Sequence, residues 1–276
     1  MNFTKLDEFK IFALRHRKMV VFSFCLIICL TLLYVFTDSY ASRYDNEFTE
    51  LNSYLLKVKV KDMDIRNRIK VKEVAREGKG IDISSWQREI NWEAVKNSGI
   101  DYVMIRCGYR NLTNSEIHVD PRFENNIKEA NRLGIPVGVY FYSTARDQKE
   151  AMEEATFVLN LIKDYEITYP VAYDFELYNQ KRMEGISAGI INENALLFLD
   201  HITSHGYNGM IYSNLLYLNK VWDIEKFEDY KFWLAQYDGK YETEYDFLQY
   251  SDKGHIDGIE TSVDMNKSKI VYERVE

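Results

Sequence analysis

The chain has 276 residues, 46% of them hydrophobic, enough to bury a sizeable core as one barrel or one domain with an appendage. Its formal charge of −8 is uneven: residues 1–78 hold 14 Lys and Arg against 10 Asp and Glu, and the remainder 21 against 33. So acidic a C-terminal portion argues against binding nucleic acid, which needs clustered basic side chains, and three cysteines make no disulfide framework.

Residues 19–37 carry no charge, and Arg15, Arg17 and Lys18 precede them. A run of that length can just span a hydrocarbon core of roughly 30 Å as a helix. The positive side then stays inside, so residues 1–18 are expected in the cytoplasm and everything after Asp38 outside the cell membrane. A cleaved signal peptide is the rival reading, but the run is longer than an ordinary signal core and ends in a poor cleavage context. Residues 38–78 have no proline and no glycine before Gly78. Apolar positions recur among many charges at irregular helical spacing, which predicts a partly helical stalk.

From Gly80 the texture alternates between strand and helix. Strands are predicted over 80–84, 102–107, 136–142, 170–176, 209–213, 232–237, 245–250 and 262–266. Between them the pattern predicts a capped helix over 91–99, a long polar loop over 108–120, and helices over 121–134, 147–164 and 192–205. A loop over 177–189 precedes the last of these, and a short helical region covers 215–227. Eight strands and about five helices read as an irregular eight-stranded β/α (TIM-like) barrel with parallel strands, losing its regularity in the last third.

The run Pro170-Val-Ala-Tyr-Asp-Phe-Glu176 carries the chemistry. In a strand, successive side chains alternate between faces, so Val171, Tyr173 and Phe175 lie on one side and Ala172, Asp174 and Glu176 on the other. On an inner barrel strand both carboxylates sit at the C-terminal end, where barrel enzymes place their active sites. Two acids are also the minimum for cleaving a glycosidic bond. Asp82 and Asp264 behave in the same way, each facing opposite to apolar neighbours, on the first and eighth strands. Those strands are neighbours in a closed barrel, so four acids converge on one mouth. Their mutual repulsion predicts at least one raised pKa, as a general acid requires near neutral pH.

The runs GIDISSWQREINWEAVKNSGIDYVMIRCGYR (80–110), DPRFENNIKEANRLGIPVGVYFYS (120–143), PVAYDFE (170–176), MIYSN (210–214), FWLAQY (232–237) and LQYSDKGHIDGIETSVDMN (248–266) together resemble glycoside hydrolase family 25, the N-acetylmuramidase-type lysozymes. The resemblance covers residues 79–276 and leaves the anchor and stalk outside it. It implies a barrel in a bacterial envelope that hydrolyses the β-1,4 bond between N-acetylmuramic acid and N-acetylglucosamine in peptidoglycan, with no cofactor. Carried over, Glu176 protonates the leaving oxygen, and Asp174 assists by orienting the substrate's N-acetyl group or in another carboxylate role. Asp82 and Asp264 match the acids that shape the site electrostatically. The family is thought to retain configuration, whereas residues two apart on a strand, roughly 6.5–7 Å between Cα atoms, leave the outcome open.

Tyr140, Tyr142, Tyr212, Trp233, Gln236 and Gln249 lie in the matching runs near strand ends, where sugar contact and barrel packing are both open to them. Arg106 alternates into the interior and is expected to pair with a carboxylate. His201 and His205 have the spacing of some zinc helices, but no Glu accompanies them, and no metal is expected. Two other readings remain: a wall-binding or scaffold protein on the same barrel, within an envelope assembly, and a metal-dependent phosphodiesterase using the acid cluster.

Overall fold

The computed structural model describes residues 69–176, 181–241 and 243–275. The expected anchor at 19–37 and most of the expected stalk, 38–68, lie outside the described residues. Among the described residues no helix is long and apolar enough to cross a membrane. In chain order the first strands are β1 (Val71–Val74), β2 (Gly78–Ile83), β3 (Tyr102–Arg110), β4 (Ile117–Val119), β5 (Val137–Tyr142) and β6 (Val171–Asp174). They are followed by β7 (Gly209–Asn214), β8 (Lys231–Ala235), β9 (Phe247–Gly254), β10 (Val263–Ser268) and β11 (Val271–Arg274). Among the described residues five α-helices accompany them: α1 (Trp92–Asn97), α2 (Phe123–Arg132), α3 (Gln148–Ile162), α4 (Ala188–Ser204) and α5 (Leu215–Lys220).

The eight strands expected from the sequence close into a ring in the order β2-β3-β5-β6-β7-β8-β9-β10 and back to β2. Seven run parallel. The eighth does not: β10 is antiparallel to both β9 and β2, where a parallel strand was expected. Eight residues separate Gly254 from Val263. That is too few for the crossover of a dozen or more that a parallel neighbour needs, so the chain turns back.

Two apolar clusters divide the core. One fills the layer between the strands' outer faces and the helices, with Ile81, Val103, Val139, Tyr173 and Phe198 among its members. The other fills the barrel interior and its base, from Tyr102, Met104 and Ala172 to Trp233 and Phe247. Large interior rings demand small partners. A Cβ on Gly80 would lie 2.3 Å from the Tyr102 ring, closer than real Cβ contacts occur, so only glycine fits there.

Local signals set most helix ends. Asn91 caps α1, Asp147 caps α3 and Asn214 caps α5, each accepting a backbone N–H of the first turn. Gly134 and Gly206 follow α2 and α4 at φ 64° and 82°. Several boundaries differ from expectation, among them β6, expected over 170–176 but ending at Asp174, which leaves Glu176 beyond the strand. Helix α4 starts at Ala188 rather than 192, because Ser187 accepts the Ile190 N–H and starts it early. Helix α2 starts at Phe123 rather than 121, since Asp120 Oδ1 holds the Arg122 N–H in a turn. The loop expected over 108–120 is partly strand: β3 runs on to Arg110, and β4 returns antiparallel to it. The last residues of the expected stalk are also strand, β1 pairing with β11, because the C-terminal segment supplies the backbone partner that a solvated spacer lacks.

Candidate active site

The C-terminal ends of the parallel strands carry the acids. Asp82 and Asp264 are directly opposed across the β2–β10 ladder, a consequence of the antiparallel eighth strand, which brings its first residues to the mouth. Asp174 ends β6, flanked in register by Tyr142 on β5 and Tyr212 on β7. Glu176 follows two residues on and is half-buried. Its charge acts on Asp82, Asp174 and Asp264 together, so the four carboxyls share one electrostatic environment.

Asp82 is the hub. Its Oδ2 accepts from Gln249 Nε2 at 2.8 Å and from Asn266 Nδ2 at 2.7 Å. The amide orientations are dictated from behind. Trp233 Nε1 can only donate, and it donates to Asn266 Oδ1 at 2.8 Å, so the amide nitrogen of Asn266 must face Asp82. Likewise the hydroxyls of Tyr212 and Tyr237 donate to Gln249 Oε1 at 3.0 and 2.5 Å. Two N–H donors on one oxygen favour the ionised form of Asp82. Burial opposes them and wins, raising Asp82 from 3.8 to about 6. Asp264 is pushed further, to about 8, first by burial and then by the charge of Asp82, to which it is hydrogen-bonded. Both carboxyls of this hydrogen-bonded pair are thus raised, and the pair keeps a proton above the ordinary carboxylate range.

Asp174 is buried, and its Oδ1 has no hydrogen-bond partner among the described residues. Burial raises its pKa well above 3.8; Glu176 and Asp82 raise it further, while Arg106 pulls it down. Arg106 does enter the interior and does pair with a carboxylate, that of Asp120. Its Nε and Nη2 lie 2.8 and 2.7 Å from Asp120 Oδ2, and Nη2 also donates to Ser85 Oγ at 3.1 Å.

The six residues marked near strand ends divide sharply. Tyr140 and Tyr142 are half-buried beside the acids, Tyr140 meeting Trp233 edge to face at 6.1 Å. Trp233 is only 2% exposed and offers no ring face to a sugar; its contribution is to hold Asn266. Gln249 and Tyr212 are likewise committed inside the network around Asp82. Gln236 points elsewhere, its Nε2 donating to Asp238 Oδ1 at 2.9 Å and to the Lys240 carbonyl. His205 turns its Nδ1 to the His201 carbonyl at 2.8 Å, at the end of α4.

Two aromatics at the rim escape the sequence reading. Trp86 is 76% exposed and Tyr237 50% exposed, both just beyond the ends of acid-side strands. Trp86 is held out by a turn built from a reciprocal cap: Ser84 accepts the Trp86 N–H, and Gln87 accepts the Ser84 N–H. Gln87 also donates to the Ser262 carbonyl, fixing the turn against the start of β10. The Ser-x-x-Gln spacing directly after the first strand was a readable signal. So was Asn266, two residues from Asp264 on the same face.

The profile of glycosyl hydrolases family 25 matches residues 81–259. The autolytic lysozyme of Clostridium acetobutylicum is 28% identical over 194 residues, covering 68% of this chain and 55% of that protein. The modular autolysin LytC of Streptococcus pneumoniae, solved in complex with a synthetic peptidoglycan ligand, is 28% identical with a TM-score of 0.62, covering 71% of this chain and 47% of that one. The chain thus spans about half the length of both. A bacterial lysozyme from Streptomyces coelicolor shares the fold at 23% identity and a TM-score of 0.58, covering 69% of this chain and 91% of the other.

Proposed function

The chain belongs to glycosyl hydrolases family 25, and from that premise we propose that it is a membrane-anchored peptidoglycan hydrolase cleaving the β-1,4 bond between N-acetylmuramic acid and N-acetylglucosamine. Glu176 is the general acid: half-buried just past the end of β6, it can reach a leaving oxygen. Asp174 assists. Its buried, unpartnered Oδ1 is an acceptor awaiting a donor, and the N–H of a substrate acetamido group is one. Asp82 and Asp264 hold one proton between them and set the field beneath both.

The observation that carries this reading is the convergence of four carboxyls, three on strands and Glu176 just past the end of β6, two of them buried, on the mouth of a barrel of this family. The half-exposed tyrosines and the rim aromatics give a glycan ring faces to lie on. The uncharged run at 19–37, with Arg15, Arg17 and Lys18 before it, supports a single-pass anchor with the barrel outside the cell membrane, within reach of the wall.

Mass spectrometry of peptidoglycan digested by the purified full-length protein tests this. Fragments ending in reducing N-acetylmuramic acid are expected. Reducing N-acetylglucosamine ends would overturn the bond assignment. Tight binding with no cleavage at any pH would favour a wall-binding scaffold on the same barrel.

A further inference from the structure

Behind the acid-bearing strand lies a second cluster of buried charge that the cleavage chemistry does not touch. Arg110, at the end of β3, and Glu154, on α3, are both buried, and Arg110 Nε donates to Glu154 Oε1 at 2.7 Å. Arg110 is held on its other sides too. Nη1 donates to the Ser115 carbonyl at 2.9 Å, and Nη2 to the Glu150 carbonyl at 2.9 Å and to Glu153 Oε2 at 3.1 Å. Burying two charges is costly, and apolar side chains of similar volume often serve stability as well or better. Stability alone is thus a poor account of the pair, and its remaining contacts indicate what it holds.

Those contacts lead to Ser143, just past the end of β5. Ser143 Oγ donates to Glu154 Oε2 at 2.6 Å, while the Ser143 N–H donates to the carbonyl oxygen of Asp174 at 2.7 Å. The Ser143 hydroxyl has one proton, and the carboxylate takes it. The Tyr173 hydroxyl, 2.9 Å away, is then the donor in its contact with Ser143. Ser143 therefore grips β6 at consecutive residues, by the side chain of Tyr173 and the backbone of Asp174. The chain beyond Glu176 returns to the same cluster: Arg182 Nη2 meets Glu150 Oε2 at 2.5 Å, and its Nε donates to the Thr144 carbonyl at 3.3 Å. Burial pushes the Glu154 carboxyl up to about 7, and both Arg110 and Ser143 act to keep it ionised.

We infer that Arg110 and Glu154 are positioning residues for hydrolysis, fixing through Ser143 the end of β6 so that Asp174 and Glu176 meet the glycan in one arrangement. This rests on the muramidase reading above. Neither residue touches substrate. Their effect lies in geometry, to which turnover is steep: a misplacement of about 1 Å can cost on the order of 100-fold.

The test uses the purified full-length protein, soluble glycan strands of defined length, and the variants Glu154→Gln, Ser143→Ala and Ser143→Thr. Ser143→Ala deletes one hydroxyl and keeps the N–H that holds Asp174, so it folds even where a buried charge change does not. In Glu154→Gln and Ser143→Ala, kcat is expected to fall about 10- to 100-fold with KM within about twofold, and unfolding to stay cooperative above the assay temperature. Ser143→Thr, which restores the hydroxyl, is expected to recover most of the loss. Wild-type kcat per folded molecule in Ser143→Ala, or a raised KM at unchanged kcat, would overturn the positioning role alone. A wild-type chain that releases no new reducing ends would overturn the muramidase reading and this one with it.

Discussion

Asp82 and Asp264 face each other directly across an antiparallel pair of strands, and one oxygen of Asp82 accepts N–H groups from both Gln249 and Asn266. The Asp264 carboxyl, ordinarily near 3.8, is raised to about 8. A raised acid keeps its proton in the folded state after the unfolded chain has lost it, so the unfolded chain binds fewer protons across that window. Stability from this group is therefore fully present in acid and is lost as pH rises from about 4 to about 8. Asp264→Asn, whose amide also donates to Asp82, is expected to flatten that decline and to unfold at a higher temperature than wild type at pH 8. Thermal melts across the window check it; parallel curves for the two proteins would show that the Asp264 carboxyl is not raised.

Glu176→Gln keeps shape and half-burial while removing the proposed proton donor. Turnover on peptidoglycan is expected to drop by roughly 100- to 10,000-fold, the usual contribution of general acid catalysis. Unfolding should stay cooperative above the assay temperature, since the amide keeps the size of the carboxyl. Near-wild-type release of reducing ends would remove Glu176 from the acid role.

Trp233→Phe deletes only the Nε1 donor to Asn266 Oδ1 while leaving an aromatic ring in the core. An unsatisfied buried carbonyl oxygen costs about 1–3 kcal/mol, and the amide of Asn266 loses its fixed direction. Denaturant unfolding should show a loss in that range. The same substitution frees the amide to turn from Asp82, removing one of the bonds that keep its carboxylate ionised, so the acid limb of the activity profile is expected to move to higher pH. An unchanged profile would show that Asn266 is held by other means.

Trp86→Ala removes a ring that is 76% exposed, so folding should be altered by less than about 0.5 kcal/mol. A sugar lying on that ring would be lost with it. KM for glycan strands is expected to rise about five- to tenfold with kcat unchanged, in keeping with a contact worth about 1 kcal/mol. Kinetics indistinguishable from wild type would place the glycan elsewhere on the rim.

Much of the site was legible because strand alternation is local. Asp82, Asp174, Glu176 and Asp264 each sit opposite apolar neighbours one residue away, and a period of two needs no knowledge of the rest of the chain. The same rule put Arg106 inside. It could not say that Asp120 would be its partner, because Asp120 reaches it from beyond β4, a strand that polar residues over 108–120 concealed. Nor could it separate Tyr142, half-buried by the acids, from Trp233, sealed beneath them, since both occupy strand-end positions in the sequence.

By itself the sequence determined the number of barrel strands, the capped start of α1, and the side of the wall on which Asp82, Asp174 and Asp264 lie. These are settled by hydrogen bonds and alternation within a few residues. Only the tertiary structure decided the direction of β10, the donors that converge on Asp82 and the raised proton affinity of the Asp82–Asp264 pair. Those donors come from Gln249 and Asn266, separated from Asp82 by 167 and 184 residues. The reason is physical: a carboxyl's proton affinity depends on its burial and on the charges and donors around it, and ring closure brings those from strands at opposite ends of the barrel sequence.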